Sequence, residues 1–260
     1  MAWRAPRFGL LHAARLAGPG SLSAPNALGS GSLDHLLDDR AGFFAEFATA
    51  ETDHTIILDR GAGTLEAIDR LWIPAGHNLD GVDIRVRAAT DAAITTGVVT
   101  LLASTPVSGS DAIDETLASS SLRFVELAFL TSSAPRVSEL VYTRTRTTLR
   151  GPEADWEDDP LDHTSHLETE SGAVYHLIRG PDGRRMSLSY VQAVDADDLV
   201  LLEDLFALGT GAAFVLDPPY DDEPARWVTL TERSRRNDNP TPASTPKRVS
   251  YEFEAETVLA

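Results

Sequence analysis

Between residues 82 and 87 the chain alternates Val82, Ile84 and Val86 with Asp83, Arg85 and Arg87. A period of two puts the apolar set on one face of a strand and the charged set on the other. From about Leu33 onward the same texture continues, as short apolar runs separated by turn residues. It predicts strands over 43–47, 55–58, 68–73, 82–87, 97–103, 122–130 and 139–148, with turns at 61–63, 74–76, 108–110 and 132–135. Short strands at this spacing, without sustained helical periodicity, predict an all-β sandwich over 33–150. The run Thr143 to Thr148, with Arg144 and Arg146 on one face, reads as an exposed edge strand.

The pattern breaks after Arg150. Residues 151–170 are acidic and aperiodic, and they carry Pro152 and Pro160, so they read as an interdomain linker. Alternation resumes from 171, with strands at 174–178 and 185–191 around the turn Gly180-Pro181-Asp182-Gly183. One helix follows. Asp195 or Asp197 caps it, Leu199, Leu202, Leu205 and Phe206 form its apolar stripe, and Asp198, Glu203 and Asp204 favour its water-facing side. Gly209 ends it. Strands at 214–216, 226–231 and 248–258 complete a second, smaller β domain over 171–260, a sandwich or split barrel with one packed helix. At the other end, residues 1–32 are rich in Gly, Ser and Pro and read as an extended arm. Its apolar anchors Trp3, Phe8, Leu10 and Leu11 are expected to gain order on a neighbouring subunit. Arg4, Arg7 and Arg15 interrupt the continuous apolar segment that a secretory signal would need.

Two stretches carry a family resemblance. The strand–corner–strand segment AIDRLWIPAGHNLDGVDIRVR (67–87) and the run SLRFVELAFLTSSAPRVSELVYTRTRTTLRG (121–151) resemble the galactose-binding (discoidin)-like jelly rolls of minor tail proteins in tailed phages. The segment GRRMSLSYVQAVDADDLVLLEDLFALGTGAAFVLDPPYDD (183–222) looks like the strand–helix–strand unit of distal-tail and tail-tube-related proteins. Together the resemblance spans residues 35–260. It implies a mainly β chain in which a discoidin-like jelly-roll sandwich precedes a tube-like domain. It further implies a structural virion component at the distal tail or tail tip, made in the host cytoplasm. Such a component would form a homo-oligomeric ring, trimeric or hexameric, and contact the tail tube, baseplate hub or other tail-tip proteins. The alternative is an adhesion module binding a host-surface glycan or receptor.

Composition narrows the chemistry. A net charge of -18 argues against nucleic acid as the main partner. No apolar run is long enough to insert across a membrane. Zero cysteines exclude disulfides, thiolate nucleophiles and Cys-ligated metals. No GxSxG, P-loop or Rossmann pattern is present, so neither enzymatic activity nor a cofactor is expected. His163 and His166, among Asp158, Asp159, Asp162 and Glu168, are the one His/carboxylate cluster. Their spacing is helical while Pro160 signals a loop, so a solvated linker is expected rather than a metal site. Asp38 and Asp39 fit either a calcium loop or an exposed turn, and the turn is expected. His77 and Asn78 in the corner could orient a ligand hydroxyl, but such a pair more often satisfies its own turn's backbone. The basic run Arg233-Ser234-Arg235-Arg236 reads as a solvated loop or a salt-bridging contact in an assembly.

Overall fold

The structure is a computed structural model and describes residues 7–9, 21–37, 43–49, 53–63, 65–131, 133–147, 157–161, 164–168, 174–178, 183–193, 196–210, 213–217, 225–238 and 249–257. In chain order the strands begin with β1 (Arg7–Gly9), β2 (Leu22–Ser23), β3 (Leu28–Gly31), β4 (Ala45–Phe47), β5 (His54–Asp59), β6 (Ile68–Ile73) and β7 (Asp83–Ala89). There follow β8 (Val99–Pro106), β9 (Ile113–Ser120), β10 (Phe124–Leu130), β11 (Arg136–Val137), β12 (Val141–Thr143) and β13 (Thr145–Thr147). The last are β14 (Glu157–Leu161), β15 (Thr164–Glu168), β16 (Val174–Ile178), β17 (Gly183–Ala193), β18 (Ala213–Asp217), β19 (Arg226–Asn237) and β20 (Val249–Thr257). Among the described residues one α-helix, α1, spans Ala196–Leu208, and a 3-10 turn covers Leu33–Leu37. The fold class is the one expected, mainly β, with a sandwich and a second β unit that carries the helix α1.

In the sandwich, a five-stranded sheet ordered β2-β5-β10-β7-β8 and a three-stranded sheet ordered β12-β6-β9 share one core, with a further three-stranded sheet β11-β4-β3. Strand β10 lies at the centre of the five. Its Val125, Leu127 and Phe129 are fully buried, as are Ile84, Val86 and Ala88 of β7, Leu58 of β5 and Leu71 and Ile73 of β6. The alternation read at 82–87 therefore faces the core as expected. On the opposite face of the same sheet, Glu126 takes a bidentate bond from Arg87 at 2.8 and 2.9 Å, with Arg85 at 3.6 Å. That pairing is what makes a buried carboxylate tolerable mid-sheet, and the Glu126 bond raises the Arg87 pKa. A small apolar satellite of Ile57, Ala89, Ile94 and Phe124 sits beside it. Ile94 holds a left-handed φ of 54°, a strained state for a β-branched residue. Its buried side chain and the bonds that Asp91 accepts from Thr95 and Thr96 hold it there.

Asp59 at the end of β5 takes a bidentate bond from Arg123 at 2.7 Å. Arg123, aided by the Gly61 amide, holds the Asp59 carboxyl below the usual range, against the opposing pull of desolvation. A depressed native pKa stabilises the fold above the unfolded carboxylate pKa and is lost as pH falls through the native value. Asp59→Asn is therefore expected to lower the melting temperature slightly at neutral pH and to leave it unchanged in strong acid. An equal loss at both pH values would show that the pair acts by packing alone.

The second unit comprises Met1–Phe8 and Arg146–Ala260. Its seven-stranded sheet runs β13-β1-β18-β19-β20-β17-β14, and β15 and β16 form a separate two-stranded ribbon. Met186, Leu188, Tyr190, Leu230, Tyr251, Phe253 and Ala255 are buried, as are Leu201, Leu202 and Leu205 of α1. Phe206 meets Tyr251 edge-on, and Gly209 ends the helix with a φ of 85°.

Four expectations are corrected here. The stretch read as an extended arm supplies strands. Phe8, expected to anchor on a neighbouring subunit, is 0% exposed in β1 inside the chain's own sheet, its ring 6.4 Å from Phe214. Trp3, Leu10 and Leu11 lie outside the described residues. The segment read as a linker holds β14, paired with β17, and β15, paired with β16. Its acidic residues are compatible with strands because β14 is the sheet's edge. The run 233–236 lies within β19, where Arg235 pairs with Glu203, Arg236 with Asp238, and Arg233 covers the Phe206 ring. Finally, Asp198 is 3% exposed rather than water-facing.

Candidate functional site

Residues brought together around β3, β4 and β11 form the most ligand-like surface among those described. Ser30, Glu46 and Arg136 are directly opposed across the three strands. The Ser30 hydroxyl donates to Glu46 Oε2 at 3.2 Å. The Arg136 guanidinium lies 5.1 Å from the Phe44 ring centre, a cation–π contact. One residue earlier, Phe43 is 47% exposed, the one large aromatic side chain so exposed among the described residues. The His35 ring stands 5.2 Å from it. His35 comes from the 3-10 turn and its Nδ1 meets the Phe44 carbonyl at 3.2 Å. A carbonyl only accepts, so Nδ1 carries the proton in that bond, and Nε2 is the acceptor of the neutral ring.

Local backbone chemistry fixes this arrangement. Gly31 ends β3 with a φ of 78°, and a Cβ there would stand 1.8 Å from the Phe44 carbonyl oxygen. Only glycine lets β3 close on the segment that leads from the two phenylalanines into β4. On the far side, the Arg136 amide donates to Asn78 Oδ1 at 2.6 Å while Asn78 Nδ2 donates to the Ala134 carbonyl at 2.9 Å. The side chain of Asn78 thus clamps the loop that leads into β11. A guanidinium, a carboxylate and a hydroxyl thus stand in one row with the Phe44 ring against the guanidinium, and the Phe43 ring with the His35 imidazole forms the adjoining pair. Such a set can hold a small ligand that has one apolar face and a rim of hydroxyls.

The residues named from the sequence fare differently. His77 is 5% exposed, and both its ring nitrogens serve the backbone. Nδ1 accepts from the Leu79 amide at 3.2 Å and Nε2 donates to the Asp111 carbonyl at 2.8 Å. The pair His77–Asn78 therefore holds its own corner, and Asn78 reaches the candidate site only through the backbone of Arg136. Asp38, Asp39 and His163 lie outside the described residues. His166 lies in β15 opposite His176. Among the described residues no three His or carboxylate side chains gather as a metal site, and no helix is long and apolar enough to cross a membrane. Sequence reasoning passed over His35, Phe43, Phe44 and Arg136. A signal was present in the doubled aromatic of Gly42-Phe43-Phe44, because two adjacent strand residues cannot both face one core.

A second depression of about 300 Å³ lies on the seven-stranded sheet, with Ser187, Ser189, Glu232, Glu252 and Glu254 in its lining. It offers hydroxyls, carboxylates and the Arg233 guanidinium but no aromatic face.

No family model matches the chain, and neither does any curated protein. Solved structures similar to it include chitosan-binding module 1 from a Paenibacillus sp. IK-5 chitosanase/glucanase, at 15% identity and TM-score 0.40, over 49% of this chain and 96% of that one. CBM62 from Clostridium thermocellum Xyl5A is similar at 17% identity and TM-score 0.39, over 50% and 96%. A Ruminococcus gnavus GH29 fucosidase is similar at 14% identity and TM-score 0.40, over 52% of this chain and 27% of the enzyme.

Proposed function

We propose that this chain is a non-catalytic saccharide-binding protein whose ligand seats on Phe43. The observation that carries this reading is the half-exposed Phe43 ring beside His35, next in the chain to the Phe44 whose ring Arg136 covers. A pyranose has an apolar C–H face that stacks on an aromatic ring and equatorial hydroxyls that seek charged or amide partners. Glu46 and Arg136 are hydrogen-bonding partners of that kind, and Ser30 adds a hydroxyl. Binding by a saccharide panel is expected for the full chain. Phe43→Ala and Arg136→Ala should each weaken it by about tenfold or more, roughly 1.4 kcal/mol, with the circular dichroism unchanged. Saccharide binding that survives Phe43→Ala unchanged, or none by the parent chain, would overturn the assignment.

A second reading follows from the sequence resemblance over residues 35–260: a structural component of a phage tail tip, with the sandwich displayed from a ring. The observation that favours it is the seven-stranded sheet with its packed helix, the kind of unit the resemblance implies for the C-terminal part. The ring would have to use surfaces other than Phe8. Electron microscopy of the purified chain tests it, since closed rings support it and single particles of one chain count against it.

A further inference from the structure

A sheet edge presents unpaired N–H and C=O groups, and folded proteins blunt such edges with brevity, charge or proline. Nearly every described edge here follows that rule. Strands β2 and β11 have two residues, β12 and β13 three, and β3 four. Strand β14 carries Glu157, Asp158, Asp159 and Pro160, and the eight-residue β9 carries Asp114 and Glu115. In the two-stranded ribbon β15 ends on Glu168 and β16 has five residues.

Strand β8 departs from it. It is the edge of the five-stranded sheet, eight residues long, and its one proline is its last residue. No charged residue lies between Asp91 and Asp111, in a chain of net charge -18. Val98 and Val99, where β8 begins, are 39% and 47% exposed. Strand β8 thus offers a second copy of so acidic a chain an edge with no charge of its own, the neighbouring Asp83 carboxylate of β7 taking a bond from the Ser104 hydroxyl at 2.8 Å. The register irregularities near Val86 lie on the side of β8 already paired with β7.

We propose that β8 is a self-association strand, pairing antiparallel with β8 of a second copy of this chain to join two five-stranded sheets across a two-fold axis. Such a contact is isologous and consumes both free edges, so it closes at a dimer. Directly opposed residues share a face of the sheet, and a two-fold perpendicular to the sheet preserves that face. The axis must therefore pass through a residue rather than between two. Ala103, exposed and near the strand's midpoint, sits at or beside it.

Light scattering on the full chain should report the mass of two chains, with association favoured by rising concentration and by salt, which screens the net charge. Ala103→Lys should weaken association by at least about tenfold while leaving the circular dichroism unchanged. If that variant fails to fold, Val99→Lys at the strand's exposed start decides the same measurement. The chain has no cysteine of its own. Ala103→Cys should therefore form a disulfide-linked pair on mild oxidation, whereas Val200→Cys, exposed on α1, should not. A parent chain that keeps a single-chain mass at every concentration overturns the proposal. So does any larger mass that Ala103→Lys leaves unchanged, or a Val200→Cys variant that cross-links as fast as Ala103→Cys. The saccharide reading stands or falls separately, because its variants lie on β11 and beside β4.

Discussion

Deleting residues 1–9 is expected to unfold the seven-stranded unit while the sandwich retains its own melting transition. Strand β1 lies within that sheet, between β13 and β18, so its removal splits the sheet rather than trimming it. Phe8 is 0% exposed and packs near Phe214, itself 1% exposed. Arg7 Nε lies 2.5 Å from the buried Asp217 carboxylate. Phe8→Ala alone should cost about 3–5 kcal/mol, the usual range for a buried phenylalanine. That is a large part of the roughly 5–15 kcal/mol available to an ordinary domain. Calorimetry separates the outcomes: two transitions for the parent chain, with the second lowered or lost in Phe8→Ala and absent in the deletion. A deletion variant with both transitions intact would show that β1 contributes nothing to the sheet.

Arg60→Ala should be nearly as damaging to the sandwich. Arg60 is 8% exposed and follows β5. Its Nη1 donates to the Ser120 carbonyl at 3.4 Å and the Leu122 carbonyl at 3.0 Å, and its Nη2 donates to the Glu66 carbonyl. One guanidinium thus ties the segment before β6 to the link between β9 and β10. Burial lowers its pKa, and carbonyl dipoles solvate the charge. Truncation leaves these acceptors without their donor at about 1–3 kcal/mol for each one that water cannot reach. We expect a loss of about 3 kcal/mol in the urea-measured stability of the sandwich. Arg60→Lys should recover only part of it, since a single ammonium lacks the planar fork. A loss no greater than that of an ordinary surface substitution would show that water replaces the guanidinium.

Much of the sandwich was legible because its central strands are two-faced or wholly apolar. Residues 68–73 match β6 to the residue, and 82–87 and 122–130 fall within a few residues of β7 and β10. Strand β9 escaped notice because Asp114, Glu115 and two terminal serines mask a sparse apolar pattern of Ile113 and Leu117. The run 139–148 was read as one strand, yet it is β12 and β13, which belong to different sheets. Nothing local marks that exchange. The same holds for β1, whose three residues acquire a strand's geometry only from partners far along the chain. The candidate site was hidden for a related reason: its groups come from three separate segments, and only strand register brings Ser30, Glu46 and Arg136 into one row.

The sandwich is spliced into the other unit between β1 and β13, two strands that are neighbours in one sheet. This has a consequence for synthesis on the ribosome. Strand β1 is made about two hundred residues before β18, its other neighbour, which begins at Ala213. At roughly 5–20 residues per second, β1 waits on the order of ten seconds or more for that partner. The sandwich, contiguous in sequence, can fold during the wait and bring the two ends of its own segment into a fixed relation. A cell that makes this chain therefore has to shelter Phe8 for that interval, and slowing translation past residue 145 should increase the share that is captured by chaperones or degraded.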